Sequence, residues 1–464
     1  LTPQTVVLPA RGETQAVLEA SWATPRLWSP ADPHLYFLVT QLTREGQLAD
    51  ELRTRFGFRE FWVQGSHFML NGVRVNLLAT SWWPELFVTR DYIRQRLEAI
   101  KAANCVIFRT HTQPWPEEWY EVADEVGLMM IPEGPVWNDR DTYRINDPKF
   151  WENYGRALKA MVDRDKNKPS VVMYSLENEF YGGRLAQGSA PAQELARLGQ
   201  RMKQWDPTRP IFYESDGDPG GVADAIGLHY PHEYPEFTDW PNTAYWMDQP
   251  LRNKFFAPTD EQAKSWVWDR KKPVYIGEFL WVPASDPSWN TVFYGDDAYL
   301  DYRRYHIQAK ADAWRMAIQA YRHYEVGGIS PWTMVEGGPL DDTNPMYVAQ
   351  REAMQPVAAY VREYDHNFYS GERVNRTADV YNDTLRPARL TVKWALAEGD
   401  RLTPQGSVTL DLAPGERREM RFAVQLPVVA ARREVALRLT IERDGQTVFA
   451  DTKPWSVFPP LKLQ

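Results

Sequence analysis

The spacing of apolar and polar positions divides the 464-residue chain into three stretches. Over 1–62, apolar residues alternate or run in short groups at 5–8, 15–20, 35–40 and 51–56, with Pro, Gly and Asp clusters between them. That pattern predicts about half of a β-sandwich or slightly more, its first strands missing at the N-terminus. Next come Phe68-Met69-Leu70, Asn71-Gly72 and Val73-Arg74-Val75, a hairpin signal placed to plug or enter the following domain. From about 75 to 365, short apolar runs alternate with helical periodicity. Strands are predicted at 75–78, 105–109, 128–131, 171–176, 211–214, 225–229, 274–278 and 328–332. Ile93, Leu97 and Ile100 repeat at helical spacing, as do Ile307, Ala311, Trp314, Ile318 and Tyr321. Eight such alternations predict a (β/α)8 barrel, and no G-x-G-x-x-G follows the first strand to favour an open sheet. Residues 366–464 return to strand alternation, with turn dipeptides at Pro414-Gly415 and Asp444-Gly445.

The expected fold is therefore multidomain α/β: a (β/α)8 TIM barrel over 63–365, flanked by an incomplete immunoglobulin-like β-sandwich at 1–62 and a second β-sandwich at 366–464.

Composition narrows the partners. The net charge is −9 with 8 His, which argues against nucleic acid or an anionic membrane. No apolar run approaches the roughly 18 residues that a membrane helix requires. The single Cys105 lies in an apolar strand and removes internal disulfides and cysteine metal clusters from consideration. Leu1-Thr2-Pro3-Gln4 shows neither an initiator Met nor a signal pattern, so the chain reads as an internal piece of a longer protein. Compartment stays open, secretion or a periplasmic location included, and so does homo-oligomerisation. The 20 Trp are the one unusual number, since indole faces stack on sugar rings as well as filling cores.

Two stretches carry chemistry. Ser170-Val171-Val172-Met173 runs into Ser175-Leu176-Glu177-Asn178-Glu179-Phe180, and Lys272-Pro273-Val274-Tyr275-Ile276-Gly277 runs into Glu278-Phe279-Leu280-Trp281. Each is a buried strand ending in glutamate and an aromatic. In a barrel all strand ends open into one mouth, and strands four and seven face each other across it. Two facing carboxylic acids are what glycoside hydrolysis needs. Period two puts Glu177 on the face of Glu179 but one pleat deeper, where it suits a structural carboxylate paired to a cation. Arg109, at the end of strand two, is placed to hold a carboxylate ionised. His111 and His229 lack the companions of a zinc site, and no metal or cofactor is expected.

These stretches resemble glycoside hydrolase family 2, the β-galactosidase, β-glucuronidase and β-mannosidase group. Phe56-Gly57-Phe58-Arg59 with Phe68-Met69-Leu70-Asn71-Gly72 is similar to the family's sandwich-to-barrel junction. Asn104-Cys105-Val106-Ile107-Phe108-Arg109-Thr110-His111 resembles its second strand, Glu177-Asn178-Glu179 its acid/base motif, Tyr275-Ile276-Gly277-Glu278 its nucleophile strand and Ser330-Pro331-Trp332 its eighth strand. The resemblance implies a retaining exo-β-glycosidase with Glu179 as acid/base and Glu278 as nucleophile. It implies Asn178 on the 2-hydroxyl, Arg109 steadying Glu278, Tyr230 after His229 bonding the nucleophile, and His111, Trp281 and Trp332 lining the donor site. No Asn-x-Lys follows the nucleophile, which turns the expectation from a glucuronide toward a β-galactoside. Two alternatives stand beside it. One is endo-action on a polysaccharide, for which Trp82, Trp83, Trp115, Trp137 and Trp240 would line a cleft. The other is a catalytically silent carbohydrate-binding module.

Overall fold

The computed structural model describes residues 1–137, 143–180, 188–231, 244, 247, 268–280 and 287–460. Eight parallel strands form its centre: Leu77–Trp82, Ile107–Thr110, Met129–Pro132, Tyr174–Asn178, Ile211–Glu214, Ile226–His229, Val274–Glu278 and Gly328–Ile329. Numbered in that order, strands six, seven, eight, one, two and three form one hydrogen-bonded sheet, and four pairs with five. Bridges Met130↔Val171 and Glu133↔Ser175 join strand three to four, and Gly217↔Gly227 links the end of five to six. The ring closes into the expected (β/α)8 barrel.

Residues on alternate sides of each strand serve different layers. Leu77, Ala79, Ile107, Met129, Phe212 and Tyr275 face inward. Leu78, Phe108, Met130, Ile211, Val274 and Ile276 face the helices. There they meet Ile93, Leu97 and Ile100 of helix Arg90–Ala102, and Trp314, Ile318 and Tyr321 of helix Tyr302–His323. Thr89 caps the first of these helices by accepting from Tyr92 N.

The first barrel strand begins later than the sequence pattern predicts. Val73–Val75 folds back on His67–Leu70, which pairs with Phe61–Gln64, so only Leu77–Trp82 enters the barrel. Asn71 and Gly72 make the turn with φ of 50° and 84°, the left-handed pair that Asn-Gly tolerates. Phe61, Phe68, Leu70 and Val75 join the inward cluster and plug the end of the barrel where the strands start.

Residues 1–62 hold one antiparallel hairpin, Tyr36–Arg44 with Gln47–Phe56, rather than two packed sheets. No strand forms at 5–8 or 15–20. The apolar side chains counted toward strands there have nothing to pack on: Val7 and Val17 are exposed, as are Phe37 and Leu52 in the hairpin. The two hairpin strands at least pair with each other, whereas 5–8 and 15–20 have neither a pairing strand nor an opposing layer among the described residues.

Beyond helix Pro345–Ala353, strand Val357–Val361 already belongs to the C-terminal unit. There a three-stranded and a five-stranded sheet enclose a core that includes Val380, Phe422, Leu390, Leu437, Ile441 and Trp455. Arg322 at the end of the long barrel helix pairs with Asp383 at 2.8 Å, and His323 Nδ1 lies 2.7 Å from Asp379. Among the described residues, no helix is long and apolar enough to cross a membrane.

Candidate active site

At the other end of the barrel the strands finish in charged side chains. Arg109, on strand two, is fully buried. Its guanidinium donates to Glu133 Oε2 at 2.7 Å, to Asn178 Oδ1 at 2.9 Å and to Glu278 Oε1, and its Nε lies 3.3 Å from Glu214 Oε1. One cation thus gathers groups from strands three, four, five and seven. Its Nε makes no hydrogen bond among the described residues, and its contact with Glu278 is of the kind the resemblance implies.

Strand four ends at Asn178, and the chain then turns sharply. Glu179 has φ of 50°, and Tyr230, just past strand six, has φ of 48°. Left-handed backbone at non-glycine residues costs about 1–3 kcal/mol each and concentrates at functional sites. The turn overturns the period-two reading of Glu177 and Glu179. Glu179 aims into the mouth at His229, whereas the fully buried Glu177 carboxyl turns back onto its own chain. Among the described residues no cation pairs with Glu177. Its carboxyl accepts from Phe180 N at 2.8 Å, closing the turn, and burial with the nearby Asp216 carboxyl pushes its pKa well up.

His229, on strand six, is 2 % exposed. Its Nδ1 bonds Glu179 Oε1 at 2.8 Å and its Nε2 bonds Glu214 Oε2 at 2.9 Å. Both ring nitrogens are therefore engaged by carboxylates. Against the pull of burial, Glu278, Glu179 and Glu214 raise its pKa to about 10, making it an imidazolium. His229, one of the expected substrate-binding residues, bridges Glu179 and Glu214. Gly277 makes room for this arrangement, since a Cβ there would meet Glu214 Oε2 at 2.0 Å.

Glu278 accepts from Arg109 and from the Tyr230 hydroxyl. His111 Nε2 lies 3.6 Å from it and 3.3 Å from Asn178 Nδ2. Burial and Arg109 drive the His111 pKa far down, so this ring is neutral. Burial also raises the Glu278 pKa, opposed by His229, Arg109 and Tyr230; at Glu179 burial is the largest single influence, but His229 and Arg109 are chief among the groups that together outweigh it and lower the pKa. A carboxylate oxygen of Glu179, one of Glu278 and a ring nitrogen of His229 all lie within 4.8 Å of one another. Such a trio could offer ligands to a cation.

Aromatic rings line the opening. Trp332 sits 4.5 Å from the His111 ring and 4.9 Å from that of Trp83. Trp83 and Trp137 are 46 % and 45 % exposed, while Trp82 and Trp115 are core residues. Of the five tryptophans proposed for a cleft, two are thus spent on packing, and Trp240 lies outside the described residues. So does Trp281 of the donor-site set. Glu133 and Glu214 were missed as site residues. Their position at strand ends three and five was the available signal, because the barrel brings every strand end to one place.

Comparison with known families agrees with this geometry. The model described as "Glycosyl hydrolases family 2, TIM barrel domain" matches residues 57–282, and "Glycosyl hydrolases family 2" matches residues 2–59. The chain belongs to glycosyl hydrolase family 2. Among curated relatives, a β-galactosidase of Pectobacterium atrosepticum is 22 % identical over 97 % of this chain and 43 % of its own length. A β-glucuronidase of Paenibacillus borealis is 32 % identical over 40 % of this chain and 33 % of its own. The chain spans less than half the length of either relative. Among solved structures, the β-D-mannosidase of Dictyoglomus thermophilum aligns with a TM-score of 0.63 at 16 % identity, over 95 % of this chain and 59 % of that one. The exo-chitosanase of Amycolatopsis orientalis aligns with a TM-score of 0.61 at 16 % identity, over 92 % and 55 %. These two structures share the fold of this chain.

Proposed function

We propose that this family 2 chain carries the catalytic centre of a retaining exo-β-glycosidase that removes terminal β-linked sugars, with β-galactosides as the preferred donors. The observation that carries the reading is the Glu179–Glu278 approach within 4.8 Å. Retaining glycosidases hold their two carboxyl groups about 5–5.5 Å apart, whereas inverting ones leave about 6.5–9.5 Å for a water.

In this reading Glu278 attacks the anomeric carbon as the glycosidic C–O bond breaks, and Glu179 gives its proton to the departing oxygen. Arg109 and Tyr230 hold the attacking oxygens in place and favour their charge. The proton Glu179 needs lies at hand on His229 Nδ1, along the 2.8 Å contact, and its transfer leaves a neutral imidazole between two carboxyl groups. Water then attacks the glycosyl-enzyme ester, Glu179 takes its proton, and the anomeric configuration is kept. Neutral His111, Asn178 and Trp332 bound the space for the donor ring, and the absence of Asn-x-Lys after Glu278 favours galactoside over glucuronide. The C-terminal pair of sheets serves as an immunoglobulin-like accessory module. Two open tryptophans support a second reading, endo-action on a polymer, but the burial of Trp82 and Trp115 weakens it.

The test is hydrolysis of aryl β-galactoside, glucoside, glucuronide, mannoside and fucoside by wild type and Glu278→Gln. One donor cleaved by wild type alone, with retained configuration, supports the reading. Inverted product, or equal rates in the variant, removes it.

A further inference from the structure

Glu177 is fully buried on strand four, two residues before Glu179, and the proposed chemistry makes no use of it. Burying a carboxyl is costly, and an apolar side chain would fill the same space without that cost. Its Oε1 has no hydrogen-bond partner among the described residues. Its Oε2 accepts from Phe180 N at 2.8 Å. That bond spans three residues and encloses Glu179, whose φ of 50° swings its carboxyl out of the strand and into the mouth. The approach to this turn is fastened elsewhere: Ser175 Oγ donates to Glu177 O at 2.9 Å, Asn178 N to Val136 O at 2.9 Å and Glu179 N to Glu214 O at 3.0 Å. The exit is fastened at Phe180, whose buried ring stacks 6.0 Å from that of Phe150 and whose N–H meets Glu177.

Resting on the hydrolase reading above, we infer that Glu177 is a positioning residue for the proton-transfer step: by clamping Phe180 N it fixes the left-handed turn that directs the Glu179 carboxyl at the leaving oxygen. A non-glycine residue stays at positive φ only where its surroundings over-determine it. His229 holds the far end of the Glu179 side chain at 2.8 Å, and the Glu177 clamp holds the backbone it grows from. Releasing the clamp lets the turn relax and carries the Glu179 Cβ with it. A displacement of about 1 Å at a reacting group costs on the order of 100-fold in rate. Glu278 does not share this dependence. It ends strand seven and is held by Arg109 and Tyr230, so attack on the anomeric carbon keeps its geometry when the turn moves. The loss therefore falls on protonation of the leaving group and not evenly on the reaction.

The experiment measures kcat/KM for aryl β-glycosides of the donor found in the panel above, with leaving groups graded from 2,4-dinitrophenol to phenol. The acidic phenol departs without help, whereas phenol itself needs a proton as the bond breaks. Glu177→Met fills the space and removes the acceptor. It is expected to lower the phenyl value about 10–100-fold more than the dinitrophenyl value, steepening the dependence on leaving-group acidity. Glu177→Gln keeps an oxygen for Phe180 N and should bring the slope back toward that of wild type. Parallel losses along the series in Glu177→Met, an unchanged series, or a Glu177→Gln slope as steep as that of Glu177→Met would each overturn the assignment alone. If Glu177→Met does not fold, Glu177→Asp, which withdraws the carboxyl by one methylene, decides by the same slope. Wild-type silence on every donor of the panel would sink the hydrolase reading and this assignment together.

Discussion

The two ends of the same eight strands have opposite chemistry. At one end Phe61, Phe68, Leu70 and Val75 close the barrel with apolar side chains that have no polar group to satisfy. At the other, Arg109, His229, Glu133, Glu214 and Glu278 are just as buried, but each is held by a partner of opposite charge. The plug gains by removing apolar area from water. The mouth loses by taking charges out of water and recovers that loss through pairing between opposite charges. One end is built for stability and the other spends stability on orientation, which is why the two should respond differently to mutation.

The sharpest way to expose that difference is Glu278→Gln. It should cut kcat by roughly 10⁴-fold or more while leaving the unfolding midpoint near that of wild type, because a buried carboxyl of raised pKa is replaced by a near-isostere. Turnover in a panel assay and a thermal melt on the same preparation decide it. Phe68→Ala should do the reverse. Loss of a fully buried ring stacked 5.8 Å from Phe61 is expected to cost about 3–5 kcal/mol, with kcat per folded molecule unchanged. A drop in kcat for the folded fraction would show that the plug and the mouth are coupled.

Glu214→Gln tests the mouth's internal wiring. It leaves His229 Nε2 without its carboxylate and Arg109 with one counter-charge fewer. Activity should fall by about 10–100-fold, the scale for removing a group that orients a catalytic one, with a displaced pH profile. Loss of stability with an unchanged profile would instead make Glu214 a purely structural acid.

The smallest effect is on stability against pH. His229 is raised from 6.5 to about 10 and Glu133 from 4.5 to about 8. For a group whose folded pKa lies above its unfolded value, the stabilisation is complete below the unfolded value and is lost as pH rises through the folded one. Glu133 therefore weakens the fold between about pH 4.5 and 8, and His229 between about 6.5 and 10. Thermal midpoints should fall steadily over that range. His229→Gln should flatten the upper part of the curve; an unchanged slope would show that the imidazolium is not the group that titrates.

Much of this was legible along the chain. Periodicity located the eight strands within a few residues, because a strand that buries both faces must be apolar throughout and must end where polar residues begin. Asn71-Gly72 announced its turn through its own local chemistry. Arg109, Asn178, Glu179 and Glu278 stood out because charged groups and carboxamides at the ends of apolar strands need a reason to be there. The N-terminal strands at 5–8 and 15–20 were misread, since alternation is a local property and burial is not. Val7 and Val17 have strand-like neighbours and no opposing layer.

What the amino-acid order determined by itself was therefore the local: strand and helix positions, the hairpin turn and the identity of the candidate acid pair. Only the tertiary structure decided what these groups do to one another. The reversal of backbone direction at Glu179, the burial of Trp82 and Trp115, and the enclosure of His229 between Glu179 and Glu214 all depend on residues distant in sequence. Hydrophobic period is written into neighbours, whereas the charge and reach of a buried side chain are set by whatever the closed barrel brings against it.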